Sequence, residues 1–283
     1  MPTNGDTTIP MDTTVVYSIG AVNSPTAKPP AVLVPHGGPH SGYNGAWSLP
    51  VAYLASLGYT AVVINYRGST GYGEAGVQSL PGHIGSHDVE DCRAAVAAVV
   101  AAGYCDGSRV GIFGGSHGGF LAASLVGQYP DEFAAAVLRN PVTDLSLMVH
   151  VTDIPDWCYV EAWGSKEGLR RLSQQPSEED IARFRSVSPV GHVGDIKAAM
   201  LFLLGAKDER CVGRCDGWWF STSNARRVPM DDGKRIQWAL LAREDPPPVR
   251  TILFEGDNHA LDRPQTEVEQ LLNTAWWFDQ YLR

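Results

Sequence analysis

Four features that this chain lacks narrow its possible functions before any motif is considered. Its 283 residues carry a net charge of −9 and no basic cluster, so we expect no nucleic-acid partner. No apolar run reaches the roughly 20 residues that span a bilayer. The polar start, Met1 to Asp12, has neither the basic nor the apolar region of a signal peptide. The five cysteines are odd in number and scattered, which argues against a disulfide framework and favours a cytoplasmic location without a membrane partner.

The apolar content of 44% is that of a globular protein, and the length suits one large α/β domain or at most two small ones. With no internal repeat and no linker, we expect a single domain over residues 1–283, with 1–30 a loose lead-in. Apolar runs alternate with helical segments, which predicts a mainly parallel sheet with helices on both faces. From Val142 to Pro189 we expect loops and short helices instead. The predicted strands are Thr13 to Ile19, Ala31 to Val34, Thr60 to Asn65, Val110 to Phe113, Ala134 to Leu138, Ala199 to Leu204 and Val249 to Phe254; the main predicted helices are Trp47 to Leu57, Asp88 to Ala102, Leu121 to Val126, one beginning at Ser177, and Thr266 to Tyr281.

The stretch Gly114-Gly115-Ser116-His117-Gly118 lies between a predicted strand and a predicted helix. A serine on a sharp strand-to-helix turn, within the pattern G-x-S-x-G, is typical of the nucleophile elbow of an α/β-hydrolase fold. Glycine at 114 and 118 removes the Cβ atoms that would collide in such a turn. The alternative is a glycine-rich loop without chemistry, but the strand before it and the helix after it favour the elbow.

Two further residues complete a predicted catalytic triad with Ser116. Asp208 follows a later strand and His259 follows the last one, and the order Ser, Asp, His is that of α/β-hydrolases. The carboxyl ends of parallel strands meet at one edge of the sheet, where such sites lie. In this hypothesis Ser116 attacks a carbonyl, His259 transfers the proton and Asp208 orients the imidazole. The competing acids are Asp144, Asp257 and Asp262, and the competing bases are His36, His83 and His117.

An oxyanion formed in that reaction needs hydrogen-bond donors already aimed at it. The first predicted donor is the backbone N–H of His117, the residue after the nucleophile, whose side chain should point away from Ser116 and line the pocket. The second is the N–H of Gly38, in the loop His36-Gly37-Gly38-Pro39 that follows an early strand. The alternative for this loop is a plain Gly-Pro turn.

These motifs together resemble the catalytic domain of the prolyl oligopeptidase family of serine peptidases. The shared segments are His36-Gly37-Gly38-Pro39-His40, the stretch from Asn65 to Gly73 (NYRGSTGYG), and Gly114 to Leu121 (GGSHGGFL). Histidine after the nucleophile, with Thr152 to Cys158 (TDIPDWC) further on, is similar to the family's exopeptidases that release an N-acylated residue. The resemblance implies small N-acylated peptides as substrates, no cofactor and no metal, a cytosolic enzyme, and a homo-oligomer.

The sequence departs from the family in two places. Family members carry a β-propeller before the hydrolase domain, and the residues before Ala31 are too few to form one, so we expect a chain without it, either as a whole protein or as a fragment. The second departure is about sixteen residues, Cys211 to Arg226, between Asp208-Glu209-Arg210 and Arg227-Val228-Pro229. An unremoved intron or a lineage-specific insertion explains this segment best. We hypothesise that it disturbs Asp208 and lowers activity.

Three arginines are candidate substrate contacts. Arg67 lies in a shared motif, and Arg210, or Arg227 beyond the insertion, takes the place of the arginine that the family has near its triad acid. For Arg67 and Arg210 the alternative is a structural ion pair with acids in nearby loops. Two other functions also remain open: a broad carboxylesterase on the same fold, and a hydrolase-like domain without catalysis that binds or assembles.

Overall fold

Seven strands form one sheet in the computed structural model, which describes residues 11–23, 27–173, 175–207, 228 and 230–283. The strands are β1 (Asp12–Val16), β2 (Pro30–Pro35), β3 (Thr60–Asn65), β4 (Asp106–Gly115), β5 (Ala135–Arg139), β6 (Ala199–Gly205) and β7 (Val249–Phe254). The helices are α1 (Ile19–Val22), α2 (Leu49–Ser56), α3 (Gly73–Val77), α4 (His87–Ala101), α5 (His117–Gln128), α6 (Leu145–Met148), α7 (Pro155–Trp163), α8 (Ser165–Arg171), α9 (Glu178–Val187), α10 (Met230–Leu241) and α11 (Pro264–Leu282).

The strand order is β1-β3-β2-β4-β5-β6-β7, and neighbouring strands from β3 to β7 are parallel. The first strand, β1, is antiparallel to β3, with Asp12 opposite Asn65. This topology confirms the predicted α/β-hydrolase fold. Because the strands are parallel, β4, β5, β6 and β7 all bring their carboxyl ends to the same edge.

Helices cover the sheet on both faces, which explains why β3 and β6 are buried along their whole length. One face carries α4, α5 and the helices between β5 and β6, and the other carries α2 and α11. A Cβ atom on Gly111 of β4 would lie 2.8 Å from side-chain atoms of Phe278 and Leu282, so glycine lets α11 pack directly on the sheet.

Several elements differ from the sequence-based prediction. The first strand ends at Val16, and the chain turns into α1 before Ile19 can extend it. The region from Val142 to Pro189 agrees with the prediction, because it holds loops and four short helices, α6 to α9, and α9 follows Ser177 as its N-cap. The helix α10 was not predicted at all. Its acids Asp231 and Asp232 lie in the first turn, and the interior glycine at 233 weakens its helical pattern.

Several predicted residues lie outside the described part of the chain. These are Asp208, Arg210, Arg227 and the whole segment from Cys211 to Arg226. Among the described residues, no helix is both long enough and apolar enough to cross a membrane. The three cysteines in this part, Cys92, Cys105 and Cys158, are buried free thiols.

Candidate active site

Ser116 stands on a sharp turn between β4 and α5, with φ 56° and ψ −120°. This left-handed conformation is strained for a residue with a side chain, and such strain is concentrated at functional sites. The turn depends on glycine through close approach. A Cβ on Gly114 would collide with the carbonyl oxygen of Gly118, and a Cβ on Gly118 would collide with that of Pro35. The local structure is therefore the geometry predicted for a nucleophile elbow.

Ser116 and His259 line the same pocket, of about 330 Å³, at the carboxyl edge of the sheet. The two residues are far apart in the chain and meet because β4 and β7 end at this edge. The other lining residues include an arginine, Arg139, at the end of β5. The remaining wall is formed by Val34, Pro35, His36, Gly37, Ser48, Pro50, Phe113, Gly115 and Ala260.

The loop after β2 passes directly beside the serine. A Cβ built on Gly37 would lie 3.4 Å from the Cβ of Ser116 and 3.2 Å from the carbonyl oxygen of Gly115. Gly38 has φ 124°, a conformation that favours glycine, and its Cβ would lie 2.8 Å from the backbone nitrogen of His40. The sequence His-Gly-Gly-Pro therefore allows backbone rather than side chains to face Ser116.

His36 anchors one end of this loop as a neutral imidazole. Its Nδ1 donates to the carbonyl of Gly37 at 2.7 Å, and its Nε2 lies 2.8 Å from the Ser69 hydroxyl. The ring stacks on Tyr66, whose hydroxyl donates to the His36 carbonyl at 2.7 Å. Burial lowers the pKa of His36 to about 4, because desolvation outweighs the hydrogen bond to Gly37. These contacts occupy the His36 ring, although His36 lines the same pocket as His259.

His40 anchors the other end of the loop. Its Nδ1 donates to the carbonyl of Gly68 at 2.8 Å, and its Nε2 lies 3.0 Å from Oε1 of Glu161 in α7. The hydrogen bond to buried Glu161 raises the pKa of His40, and desolvation only partly opposes it. The motif from Asn65 to Gly73 therefore has a visible role, since it supports the glycine loop next to Ser116.

His117 does not line the pocket; its side chain is fully buried behind the elbow. Its Nε2 lies 2.9 Å from Oδ2 of Asp88, and both side chains have no exposed surface. The ring stacks on Phe120 and contacts Trp157 edge-on. We expected this side chain to line the pocket, but pairing with a buried carboxylate holds it in the core instead. Its backbone N–H begins α5 and has no acceptor within the helix.

Arg67 also lies away from the Ser116 pocket. Its guanidinium makes hydrogen bonds of 2.8 to 3.1 Å to the Asp91 carboxylate, which is fully buried. Arg67 lines a different pocket of about 280 Å³ together with His83 and His87. The geometry favours the structural alternative for Arg67, and it places His83 in a different pocket from Ser116.

The competing acids are occupied elsewhere or exposed. Asp257 accepts a hydrogen bond from Thr266 at the start of α11. Asp144 accepts from the Ser146 backbone at 2.9 Å and pairs with Arg235. Asp262 is exposed to solvent. Of the competing bases and acids, His36 alone shares the described lining of the pocket with Ser116 and His259.

Arg139 is a pocket residue that sequence reasoning missed. Its Nη2 donates to the carbonyl of Ala260 at 2.8 Å and its Nε donates to Oε1 of Gln270. Burial lowers the pKa of this guanidinium, and the charges of Glu267 and Asp262 oppose the shift. The available signal was its position at the end of a buried strand, directly before Asn140-Pro141.

Two curated proteins show what this chain is similar to in sequence. The acylamino-acid-releasing enzyme of Arabidopsis thaliana is 45% identical over 254 residues, which are 90% of this chain and 30% of that protein. The acylamino-acid-releasing enzyme of Homo sapiens is 38% identical over 255 residues, 89% of this chain and 31% of that protein. This chain thus spans about a third of the length of the curated relatives that it matches.

A solved structure and a family model also match this chain. The structure of Pyrococcus horikoshii acylaminoacyl peptidase superposes with a TM-score of 0.78 at 21% identity, covering 96% of this chain and 39% of that one, which supports the fold. The sequence model of the prolyl oligopeptidase family matches residues 46–215, more than half of the chain. The match ends inside the Cys211 to Arg226 segment. This chain therefore belongs to the prolyl oligopeptidase family.

Proposed function

We propose that this chain is the catalytic domain of a serine exopeptidase that releases an N-acylated, typically acetylated, amino acid from short peptides. The observation that carries the proposal is Ser116, held at positive φ on a strand-to-helix turn and facing the same pocket as His259. The relatives from Arabidopsis thaliana and Homo sapiens bear the name acylamino-acid-releasing enzyme, which supports this substrate class.

In the proposed mechanism, the Ser116 hydroxyl attacks the carbonyl of the N-acylated residue. His259 accepts the hydroxyl proton and then donates it to the leaving amine, so the peptide departs and an acyl-enzyme remains. Water attacks this ester in the second half-reaction, with His259 again taking and returning the proton. Asp208 would orient the imidazole and stabilise its charged form.

The oxyanion would be held by the backbone N–H groups of His117 and Gly38. The start of α5 at His117 supports the first assignment, because that N–H is free of the helix ladder. The close approach of the Gly37-Gly38 loop to Ser116 supports the second. For the substrate's polar groups, Arg139 joins Arg210 and Arg227 as a candidate, because Arg139 lines the pocket.

The test compares wild type with Ser116→Ala on acetyl-Ala-p-nitroanilide. Removal of the nucleophile should reduce kcat by about 10⁶-fold, leaving only oxyanion and binding effects. Ser186→Ala is the control, because this exposed hydroxyl on α9 donates only to the nearby Arg183 carbonyl, at 2.7 Å. Its kcat should equal that of wild type.

A fluorophosphonate probe and an ester substrate separate the other functions. The proposal expects covalent labelling of wild type but not of Ser116→Ala, and amide cleavage beside ester cleavage. A chain that labels but cleaves only esters is a carboxylesterase, and a folded chain that does not label is a binding domain. Either result contradicts the exopeptidase.

We further propose a cytoplasmic enzyme without cofactor or metal that forms a homo-oligomer. The net charge of −9, the free thiols of Cys92, Cys105 and Cys158, and the family resemblance support this setting. The substrates would be small peptides, with no nucleic-acid or membrane partner.

A further inference from the structure

Asn140 is a buried polar residue that the mechanism above does not use. It follows β5 directly, and only 2% of its surface is exposed. All its polar groups face backbone. Its Nδ2 donates to the carbonyls of Asn258 and His259, both at 3.1 Å, and its Oδ1 accepts from the N–H of Gly205 at 2.8 Å. Its own N–H donates to Leu203 at 3.0 Å.

These contacts join the chain segments that carry the proposed triad. Gly205 ends β6, immediately before the segment with Asp208, and the two carbonyls belong to the loop with His259. The elbow is attached on the other side, because the N–H of Ser116 donates to the carbonyl of Arg139 at 2.9 Å. We call the loop that carries His259, residues 255–263, the base loop. The Asn140 side chain thus connects the base loop to β6, the strand before Asp208, while Asn140 itself follows β5, whose last residue binds the backbone of Ser116.

Asparagine suits this position for two independent reasons. Its backbone has φ 38°, and asparagine tolerates positive φ better than most residues with a side chain. The amide also offers two N–H donors and one acceptor to three backbone groups, of which the N–H of Gly205 is buried. Without it, the N–H of Gly205 would lose its acceptor inside the protein, which is costly.

The base loop also needs a close approach at Gly205. A Cβ at this position would lie 2.9 Å from the carbonyl oxygen of Asp257 and would collide with that of Asn258. Backbone therefore packs on backbone here, and side-chain hydrogen bonds such as that of Arg139 to the Ala260 carbonyl hold the loop in place. The Asn140 amide supplies polar contacts across this approach.

We propose that Asn140 is a positioning residue that holds the backbone of His259 so that its imidazole stays within reach of Ser116. The predicted effect of Asn140 on catalysis rests on the proposed function. The claim that Asn140 holds the base loop in place concerns the structure alone. Asn140 touches no substrate, so its loss should slow the chemical step and leave binding nearly unchanged.

The main variant is Asn140→Gly, which keeps the positive φ and removes only the amide. A misplaced catalytic base can cost about 10²-fold, so we expect kcat per labelled site to fall about 10- to 100-fold, with KM changed by less than about threefold. The fluorophosphonate titration counts competent sites, so unfolded protein does not lower this value. The pKa on the acidic limb of the kcat/KM profile should also shift, which simple destabilisation would not cause.

The matched control is Asn273→Gly, at a half-buried asparagine on α11 whose amide donates to the Glu269 carbonyl at 2.8 Å. This variant also loses a side-chain amide, and glycine should lower the Tm by about 2–4 °C because it has a low helix propensity. Its kcat and pH profile should match those of wild type. Asn140→Asp is the second variant. It retains an acceptor for Gly205 and loses the donors, so it should show the kcat loss as well.

Hydrogen exchange gives a readout that does not depend on activity. Asn140→Gly should accelerate exchange at residues 205–207 and 258–261, while exchange in α4 stays as in wild type. Wild-type exchange in the base loop together with wild-type kcat per labelled site would overturn the inference. A wild-type chain that neither labels nor cleaves would overturn the proposed function instead, and the exchange result would still decide the role of Asn140 in the loop.

Discussion

At the scale of single residues, the site depends on which histidine lies beside Ser116 and can exchange a proton with it. His36 and His259 line the same pocket, but His36 is stacked on Tyr66 and hydrogen-bonded at both ring nitrogens. His117 is buried against Asp88, and His83 belongs to a different pocket. The surroundings of each ring, rather than its distance from Ser116 in the sequence, favour His259 as the base.

The lowered pKa of His36 leads to a pH prediction. Its folded pKa of about 4 is below the 6.5 of an unfolded histidine, so its contribution to stability is present above pH 6.5 and is lost as pH falls towards 4. The full effect is up to about 3 kcal/mol. His36→Gln should therefore lose less stability than wild type between pH 7 and 4.5 in urea unfolding. His150→Gln, at an exposed position, should follow the wild-type curve.

At the scale of elements, the loops at the carboxyl edge support one another. The motif from Asn65 to Gly73 holds the glycine loop through Tyr66, Gly68 and Ser69. On the other side of the pocket, α10 is tied to the loop after β5, because Asp232 accepts hydrogen bonds from the backbones of Thr143 and Asp144 at 2.9 and 2.8 Å. Asp208 and the Cys211 to Arg226 segment both lie in the connection between β6 and α10. Our hypothesis that the segment disturbs Asp208 concerns this connection.

Deleting Cys211 to Arg226 tests that hypothesis. The deletion restores the family's short spacing between the acid and Val228-Pro229, so kcat/KM on acetyl-Ala-p-nitroanilide should rise by about 10- to 100-fold as the acid regains its place. The fold should survive, since the backbone of Lys207 donates to Asp257 at 2.8 Å, Val228 is buried, and Asp232 anchors α10. Unchanged turnover with an unchanged Tm would contradict the hypothesis.

At the scale of the whole molecule, α11 closes one face of the sheet. Trp277 and Phe278 are 2% and 0% exposed, and the indole of Trp277 donates to the Ala199 carbonyl at 3.2 Å. The next indole along the helix, Trp276, is 46% exposed and lies near the Arg250 guanidinium. A single residue step, about 100° around the helix axis, thus separates a core position from a surface position with the same residue type.

The pair of tryptophans offers a matched stability test. Trp277→Ala should lower the free energy of unfolding by about 3–5 kcal/mol, because it opens a cavity between α11 and the sheet. Trp276→Ala should cost less than about 1 kcal/mol. Urea unfolding followed by circular dichroism measures both, and equal losses would show that α11 does not pack as described.

The sequence alone was sufficient for the fold class, most strands and the elbow, because these depend on local patterns. Buried parallel strands are continuous apolar runs, and a serine among glycines between strand and helix has few other uses. Helix α10 escaped prediction because Asp231, Asp232 and Gly233 obscure its apolar face, which becomes visible only when Ile236 and Leu240 are seen in the core.

Tertiary structure decided what the side chains around the elbow do. Nothing local in the sequence pairs Arg67 with Asp91 or His117 with Asp88, since each pair is joined only when α4 packs on the sheet. The same holds for Arg139 in the pocket and for Asn140, whose amide reaches backbone more than 60 residues away in the chain. The sequence determined the strand-to-helix turn at Ser116, because backbone sterics are local, whereas the partners of each polar group follow from which strands end side by side.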